Sequence, residues 1–305
     1  MALQIRDVWE SNLEEEMMVI SGVLEKYSHV AMDTEFPGVV ARPVGGFRNS
    51  SDYQYQTLRC NVDLLKIIQL GLAFADEDGN LAEDCPCWQF NFKFSLQDDM
   101  YAQDSIDLLT QSGIDFEQFE RDGIDVLHFG ELLIGSGLVL NDNVTWISFH
   151  SSFDFGYLIK VLTCSNLPSD ESEFFELMQL YFPRLWDMKY LLTDRFYGGL
   201  SKLAEVYEVK RYGKMHQAGS DSLLTLEVFF RVRASTFQGH VHKDMMNILY
   251  GLGTGHTANA HVNNIYPTRA GDANLANGTS SAVMNQRSDS GTAKSILAAS
   301  TGTDD

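Results

Sequence analysis

Asp33 and Glu35 stand one residue apart in the apolar stretch HVAMDTEFPGVV, residues 29–40. Read as a strand, this stretch turns Val30, Met32, Thr34 and Phe36 to one face and Ala31, Asp33 and Glu35 to the other. Residues i and i+2 of a strand lie about 7 Å apart on the same side. Two carboxylates that close, among buried neighbours, repel each other unless a positive charge lies between them. The pair therefore reads as one that holds something cationic, against the plainer alternative of solvated charges on an exposed edge strand. A third reading is a glycoside hydrolase, whose acid and base are also two carboxylates about 7 Å apart; such an enzyme works in chelator.

Three more residues could join them. Asp154 lies just past the buried-strand pattern NVTWISFH, in the first turn of FDFGYLIKVL. Asp221 lies in the first turn of GSDSLLTLEVFFRVR, and His216 sits five residues before it on the preceding loop. Each alone has an ordinary explanation, since an aspartate in a first helical turn balances the helix dipole and most loop histidines are not catalysts. VKRYGKMHQ also sets Lys210, Arg211 and Lys214 beside His216. These three are expected either to contact substrate phosphates or to form a solvated turn.

The elements that must position these residues can be read from periodicity. SNLEEEMMVISGVLEKY is a helix, with Ser11 and Glu14 as a capping box and Leu13, Met17, Ile20, Leu24 and Tyr27 on one apolar face. The Asp33 strand follows. SDYQYQTLRCNVDLL reads as a helix, KIIQLGLAFAD as a strand ending in a turn at Asp78-Gly79, and CWQFNFKF as its hairpin partner. Helices are expected around 101–136, then the strand NVTWISFH and the helix FDFGYLIKVL. SEFFELMQLYF, LSKLAEVYEV and GSDSLLTLEVFFRVR are further helices, and RLWDMK is a short strand. Hairpins feeding alternating helices and strands predict an α/β fold, a mixed sheet with helices on both faces.

The chain has 305 residues, 44% hydrophobic and 11% aromatic, enough for a sizeable core. Its formal net charge of −20 excludes binding to a membrane surface or to duplex DNA by charge alone. It does not exclude nucleic acid, because a site that holds divalent cations must itself be acidic. Cys60, Cys85, Cys87 and Cys164 show no CxxC pair or metal-finger spacing, which favours a reduced, intracellular protein. No signal-like or membrane-spanning stretch is evident, so no membrane partner is expected. Two segments are expected: a folded unit over 1–253 and a tail over 254–305 rich in Ala, Asn, Thr, Ser and Gly. That tail has one Tyr and no Phe or Trp, too little apolar surface to offset its ordering entropy, and is expected to be disordered. It holds Arg269, Arg287 and Lys294 against four aspartates, so all but −1 of the charge lies in 1–253.

Asp-x-Glu, a distant Asp and His-x-x-x-x-Asp together resemble the DEDD exonucleases of RNase H-like fold, in their histidine-type branch. AMDTEFPGVVARPVG, DYQYQTLRCNVDLLKIIQLGL, WQFNFKF, MYAQDSIDLL, SFHSSFDFGYLIK, LPSDESEFFELMQLYFP and HQAGSDSLLT are similar to the CAF-one/Pop-two deadenylase family. The resemblance runs from about residue 4 to about residue 253. It departs from the family at Phe153, where Tyr is expected, and in the hairpin connection EDGNLAEDCPC. All five motif residues are present, which weighs against a catalytically silent scaffold.

The resemblance implies a 3′→5′ exoribonuclease that removes poly(A) tails and releases 5′-AMP. Its two divalent cations, Mg²⁺ or Mn²⁺, would clamp the attacking and leaving oxygens about 4 Å apart. In that scheme Asp33 bridges both ions, Glu35 and Asp154 complete their shells, and Asp221 supports one of them. His216 accepts the proton of the attacking water. Phe36 is expected to stack on the terminal base or, equally, to pack in the core. The family also implies the CCR–NOT complex: a NOT scaffold subunit, a deadenylase subunit with leucine-rich repeats, and BTG/TOB-type regulators. Mixed cytoplasmic and nuclear residence, mRNA decay and translational repression complete the expectation.

Overall fold

The computed structural model describes residues 5–83, 85–253 and the backbone of 282–283. Its centre is a six-stranded mixed sheet. The strands are β1 (Ile5–Val8), β2 (His29–Glu35), β3 (Gln69–Ala75), β4 (Cys87–Asn91), β6 (Thr145–Ser148) and β7 (Leu185–Asp187), in the order β1-β4-β3-β2-β6-β7. β2, β3 and β4 form an antiparallel meander. β1 joins β4 in parallel, as β6 joins β2 and β7 joins β6. A two-residue strand β5 (Tyr101–Ala102) pairs with β8 (Ala282–Val283) apart from this sheet. The rest of the expected tail, 254–281 and 284–305, lies outside the described residues.

Ten helices among the described residues cover the sheet. They are α1 (Leu13–Val23), α2 (Ser50–Leu64), α3 (Gln103–Ser112), α4 (Phe116–Asp122), α5 (Val126–Gly135), α6 (Ser152–Thr163), α7 (Glu171–Tyr181), α8 (Met188–Leu191), α9 (Leu200–Val206) and α10 (Ala218–Ser235). Val30 and Met32 of β2 pack with apolar residues of α1, α2, α5, α6 and α7, whereas Ala31 packs with those of α9 and α10. The alternation expected of β2 is present, and all seven of its residues are buried. It follows that Asp33 and Glu35 share the α10 side of the sheet with Ala31, and Thr34 the α6 side.

The start of α1 differs from expectation. Ser11 lies inside a 3₁₀ turn, Glu10–Asn12, and the capping pair of Ser11 and Glu14 does not form. Asn12 Oδ1 instead accepts from the Trp9 backbone N–H at 2.8 Å, and Asn12 Nδ2 donates to the Asp7 carbonyl at 3.2 Å. Trp9 is held edge-on against Phe119, with ring centroids 5.1 Å apart. That packing turns the chain early, so the N-cap moves to Asn12.

His29, the first residue of β2, has its ring centroid 5.6 Å from that of Phe230, and its Nδ1 has no hydrogen-bond partner among the described residues. Burial pushes its imidazole down to about 4 from the usual 6.5, and the charges of Arg233 and Arg184 add to the effect. The unfolded chain therefore takes up a proton between those limits that the native state refuses. Stability present above about pH 6.5 is lost as the pH falls toward 4, by about 2 kcal/mol at pH 5. Urea midpoints at pH 7 and pH 5 measure that loss, and His29→Phe is expected to remove most of the difference. An equal drop in the variant would assign the acid sensitivity to other groups.

Candidate active site

Asp33, Glu35 and Asp221 each bring a carboxylate oxygen within 4.8 Å of the other two. The first two come from the end of β2, and Asp221 comes from the first turn of α10, which crosses β2 and β3. The crossing is close because Gly71 lies directly opposite Asp33 in the β2–β3 ladder. A Cβ at position 71 would run into the Ala218 carbonyl at the start of α10, so only glycine lets the helix settle there.

Two side chains from the sheet complete the seat of α10. Gln69 Oε1 accepts from Ala218 N at 3.2 Å, and Gln89 Oε1 accepts from Gly219 N at 2.9 Å. These are N–H groups of the first helical turn, which have no partner within the helix itself. Gln217 joins the network: its Oε1 accepts from Gln69 Nε2 at 3.2 Å and Gln89 Nε2 at 3.1 Å.

His216 has a left-handed backbone, with φ of 60°. Its N–H donates to Asp221 Oδ2 at 3.0 Å, and its carbonyl accepts from Ser112 Oγ at 2.9 Å. The loop histidine is thereby tied to the third carboxylate of the cluster. The five-residue spacing read from the sequence corresponds to this direct contact.

Asp154 stands differently. Its Oδ1 accepts from Thr34 N at 2.8 Å and from Thr34 Oγ1 at 2.7 Å. Thr34 lies between Asp33 and Glu35 but faces the opposite side of the sheet, the side on which α6 packs. Asp154 thus meets the end of β2 between Asp33 and Glu35, from the helix that follows the neighbouring strand β6, and it is not among the three carboxylates within 4.8 Å of one another.

The proposed substrate contacts divide. Arg211, expected to meet phosphates, turns inward: Nη2 lies 2.9 Å from Asp221 Oδ1 and donates to Ser201 Oγ at 3.2 Å, while Nη1 donates to Ser220 Oγ at 3.1 Å. Lys210 and Lys214 are exposed. The Lys214 ammonium lies against Gly113, which ends α3 with φ of 101°, a position where a cation complements the helix dipole. Phe36 is half-buried, stacked on Phe153 at 5.2 Å between centroids and tilted against Tyr157 at 5.3 Å. One of its ring faces is thus taken up in packing.

Thr34, Gly71, Gln69, Gln89 and the inward turn of Arg211 were not singled out in the sequence. Only Gly71 carried a local signal, being a lone glycine inside the strand pattern QLGLAFA, a usual mark of close backbone approach. Three clustered carboxylates offer hard oxygen donors of the kind that Mg²⁺ and Mn²⁺ take, with no soft ligand among them.

A mixed sheet flanked by helices, with buried acidic ligands gathered at the end of its central strand, defines an RNase H-like nuclease that works with divalent metal. The chain matches the model of the CAF1 family ribonucleases over residues 8–129 and 138–211, and it belongs to that family. That match takes in Asp33, Glu35 and Asp154 and stops short of His216 and Asp221. The chain is 52% identical over 265 residues to poly(A) ribonuclease pop2 of Schizosaccharomyces pombe, covering 86% of this chain and 79% of that one. The Mg²⁺- and Mn²⁺-bound structure of S. pombe Pop2p superposes with a TM-score of 0.80 at 54% identity, covering 81% of this chain and 99% of the other. A yeast structure of the NOT1 MIF4G domain co-crystallized with CAF1 matches at 34% identity with a TM-score of 0.69, over 81% of this chain and 96% of the other.

Proposed function

We propose that this chain removes poly(A) tails from mRNA in the 3′→5′ direction, releasing 5′-AMP, as the catalytic subunit of a CCR–NOT complex. The observation that carries this reading is the carboxylate cluster of Asp33, Glu35 and Asp221 in a chain 52% identical to a poly(A) ribonuclease. Mg²⁺ or Mn²⁺ would be held by these three residues, with Asp154 beside them. Bound there, the ions supply charge neutralisation at the phosphodiester and lower the pKa of the attacking water.

The chain's own groups do the rest. His216 is the candidate proton acceptor, since imidazole is the side chain that changes charge near neutral pH. Its backbone contact with Asp221 keeps it next to the cluster. Burial of the carboxylates excludes bulk water and strengthens their hold on a cation. Lys210 and Lys214, being exposed beside this loop, would meet the RNA backbone, and the exposed part of Phe36 the terminal base.

The NOT scaffold is the partner best supported, through the co-crystallized yeast CAF1. A leucine-rich-repeat deadenylase subunit, BTG/TOB-type regulators, and residence in both cytoplasm and nucleus belong to the same proposal. Through poly(A) removal the protein would promote mRNA decay and translational repression.

The test is 5′-labelled RNA ending in an adenosine tract, with and without EDTA, beside an adenosine-free RNA. Stepwise shortening that stops near the tract boundary, needs metal and is blocked by a 3′-phosphate is expected. Rapid cuts inside a circular RNA would sink the exonuclease reading. Equal decay of U-rich and A-rich tails would sink only the base preference.

A further inference from the structure

Asp221, the member of the carboxylate cluster that α10 supplies, forms an ion pair with Arg211 at 2.9 Å. The pair is little exposed, 18% for the arginine side chain and 12% for the aspartate, so salt screens it weakly. The two oxygens of Asp221 are divided between holders: Oδ1 faces the Arg211 guanidinium and Oδ2 takes the His216 N–H. The same guanidinium donates to Ser201 at the start of α9 and to Ser220 in α10, so it spans the loop that carries His216. Ser220 Oγ in turn donates to the Tyr212 carbonyl on that loop, at 2.6 Å.

We infer that Arg211 is a positioning residue that acts through Asp221, and that its charge sets how tightly the site holds metal and how strongly the loaded site draws RNA. The inference rests on reading Asp221 as a metal ligand. Asp221, holding a metal ion, would share its carboxylate between that ion and the Arg211 guanidinium. Even at the dielectric constant of water, a unit charge and a divalent one on opposite sides of a carboxylate repel enough to change a binding constant about tenfold. Arg211 therefore weakens the ion held by Asp221. The four acidic residues of the motif would balance two divalent ions, and Arg211 adds a positive charge beside them. One phosphodiester carries the opposite charge. The arginine thus trades metal affinity for attraction of the anionic substrate, while its hydrogen bonds keep the His216 loop and α10 in register.

A merely structural arginine predicts the reverse for metal, because losing it would loosen Asp221 and weaken binding. Calorimetric Mn²⁺ titrations of the full chain, together with steady-state kinetics on adenosine-ended RNA, separate the two. In Arg211→Gln the ion held by Asp221 is expected to bind about tenfold tighter, and KM for RNA to rise roughly threefold to tenfold at low salt. Arg211→Lys keeps the charge and is expected to stay within about twofold of wild type for metal. Unchanged or weaker Mn²⁺ binding by Arg211→Gln would overturn the inference. Should that variant fail to fold, a tenfold loss of Mn²⁺ affinity in Arg211→Lys would overturn it, and near wild-type affinity would support it. Asp221→Asn serves as the control. If it binds Mn²⁺ like wild type, the metal-ligand reading of Asp221 fails; if it loses an ion while Arg211→Gln does not tighten, only the role of Arg211 fails.

Discussion

Replacing His216 with asparagine is expected to lower turnover on adenosine-ended RNA by roughly two to four powers of ten while leaving metal binding and melting temperature nearly unchanged. Asparagine is the informative substitution because His216 has φ of 60°, a conformation that asparagine tolerates and alanine resists. Two contacts that hold the residue, to Asp221 Oδ2 and from Ser112 Oγ, use its backbone and survive the change. What disappears is the imidazole. Part of the lost rate should return at high pH, where hydroxide needs less help from a base. Loss of Mn²⁺ affinity in the variant, measured by calorimetry, would make His216 a ligand and end its assignment as proton acceptor.

Glu35→Gln is expected to abolish most activity and yet raise the melting temperature of the metal-free protein. Three carboxylates lie within 4.8 Å of one another and are buried or nearly so, with Arg211 paired to one of them. Two unit charges at that distance repel by about 1 kcal/mol in water and by more in a protein interior. For a folded unit of this size, 1 kcal/mol is a shift of about 2–4 °C. Metal should stabilise the two proteins unequally. Free ion at a hundredfold its dissociation constant adds about 2.7 kcal/mol to wild type, a rise of roughly 5–10 °C. The variant, lacking a ligand, should gain much less. Differential scanning fluorimetry with EDTA and then with Mn²⁺ reads the metal-free shift and the two metal responses. A Glu35→Gln protein that melts lower than wild type in EDTA, with an equal response to Mn²⁺, would mean that Glu35 is an ordinary buried, hydrogen-bonded carboxylate.

Much of the fold was legible in the chain because it depends on local order. Alternation along HVAMDTE placed Val30 and Met32 against Ala31 on opposite faces, and the structure keeps that division. The helices carrying Asp154 and Asp221 were marked by apolar runs that begin just past a strand or loop, so both aspartates fall in first turns. Where a local rule failed, at Ser11 and Glu14, a distant ring had intervened: Trp9 is fixed against Phe119 and the cap shifts with it.

The sequence by itself determined which residue types stand at the ends of which elements, and its motif text pointed to the family. Only the tertiary structure decided how they meet. Asp154 is 120 positions from Thr34, and no periodicity tells that its Oδ1 turns to that residue while Asp33, Glu35 and Asp221 come within 4.8 Å of one another. Nor could spacing show that Arg211 would meet Asp221 rather than solvent, or that Gly71 would sit beneath the Ala218 carbonyl. Strand and helix periods fix the direction of a side chain relative to its own element. The partner it finds depends on how closely two elements pack, and here one missing Cβ, at Gly71, sets that distance.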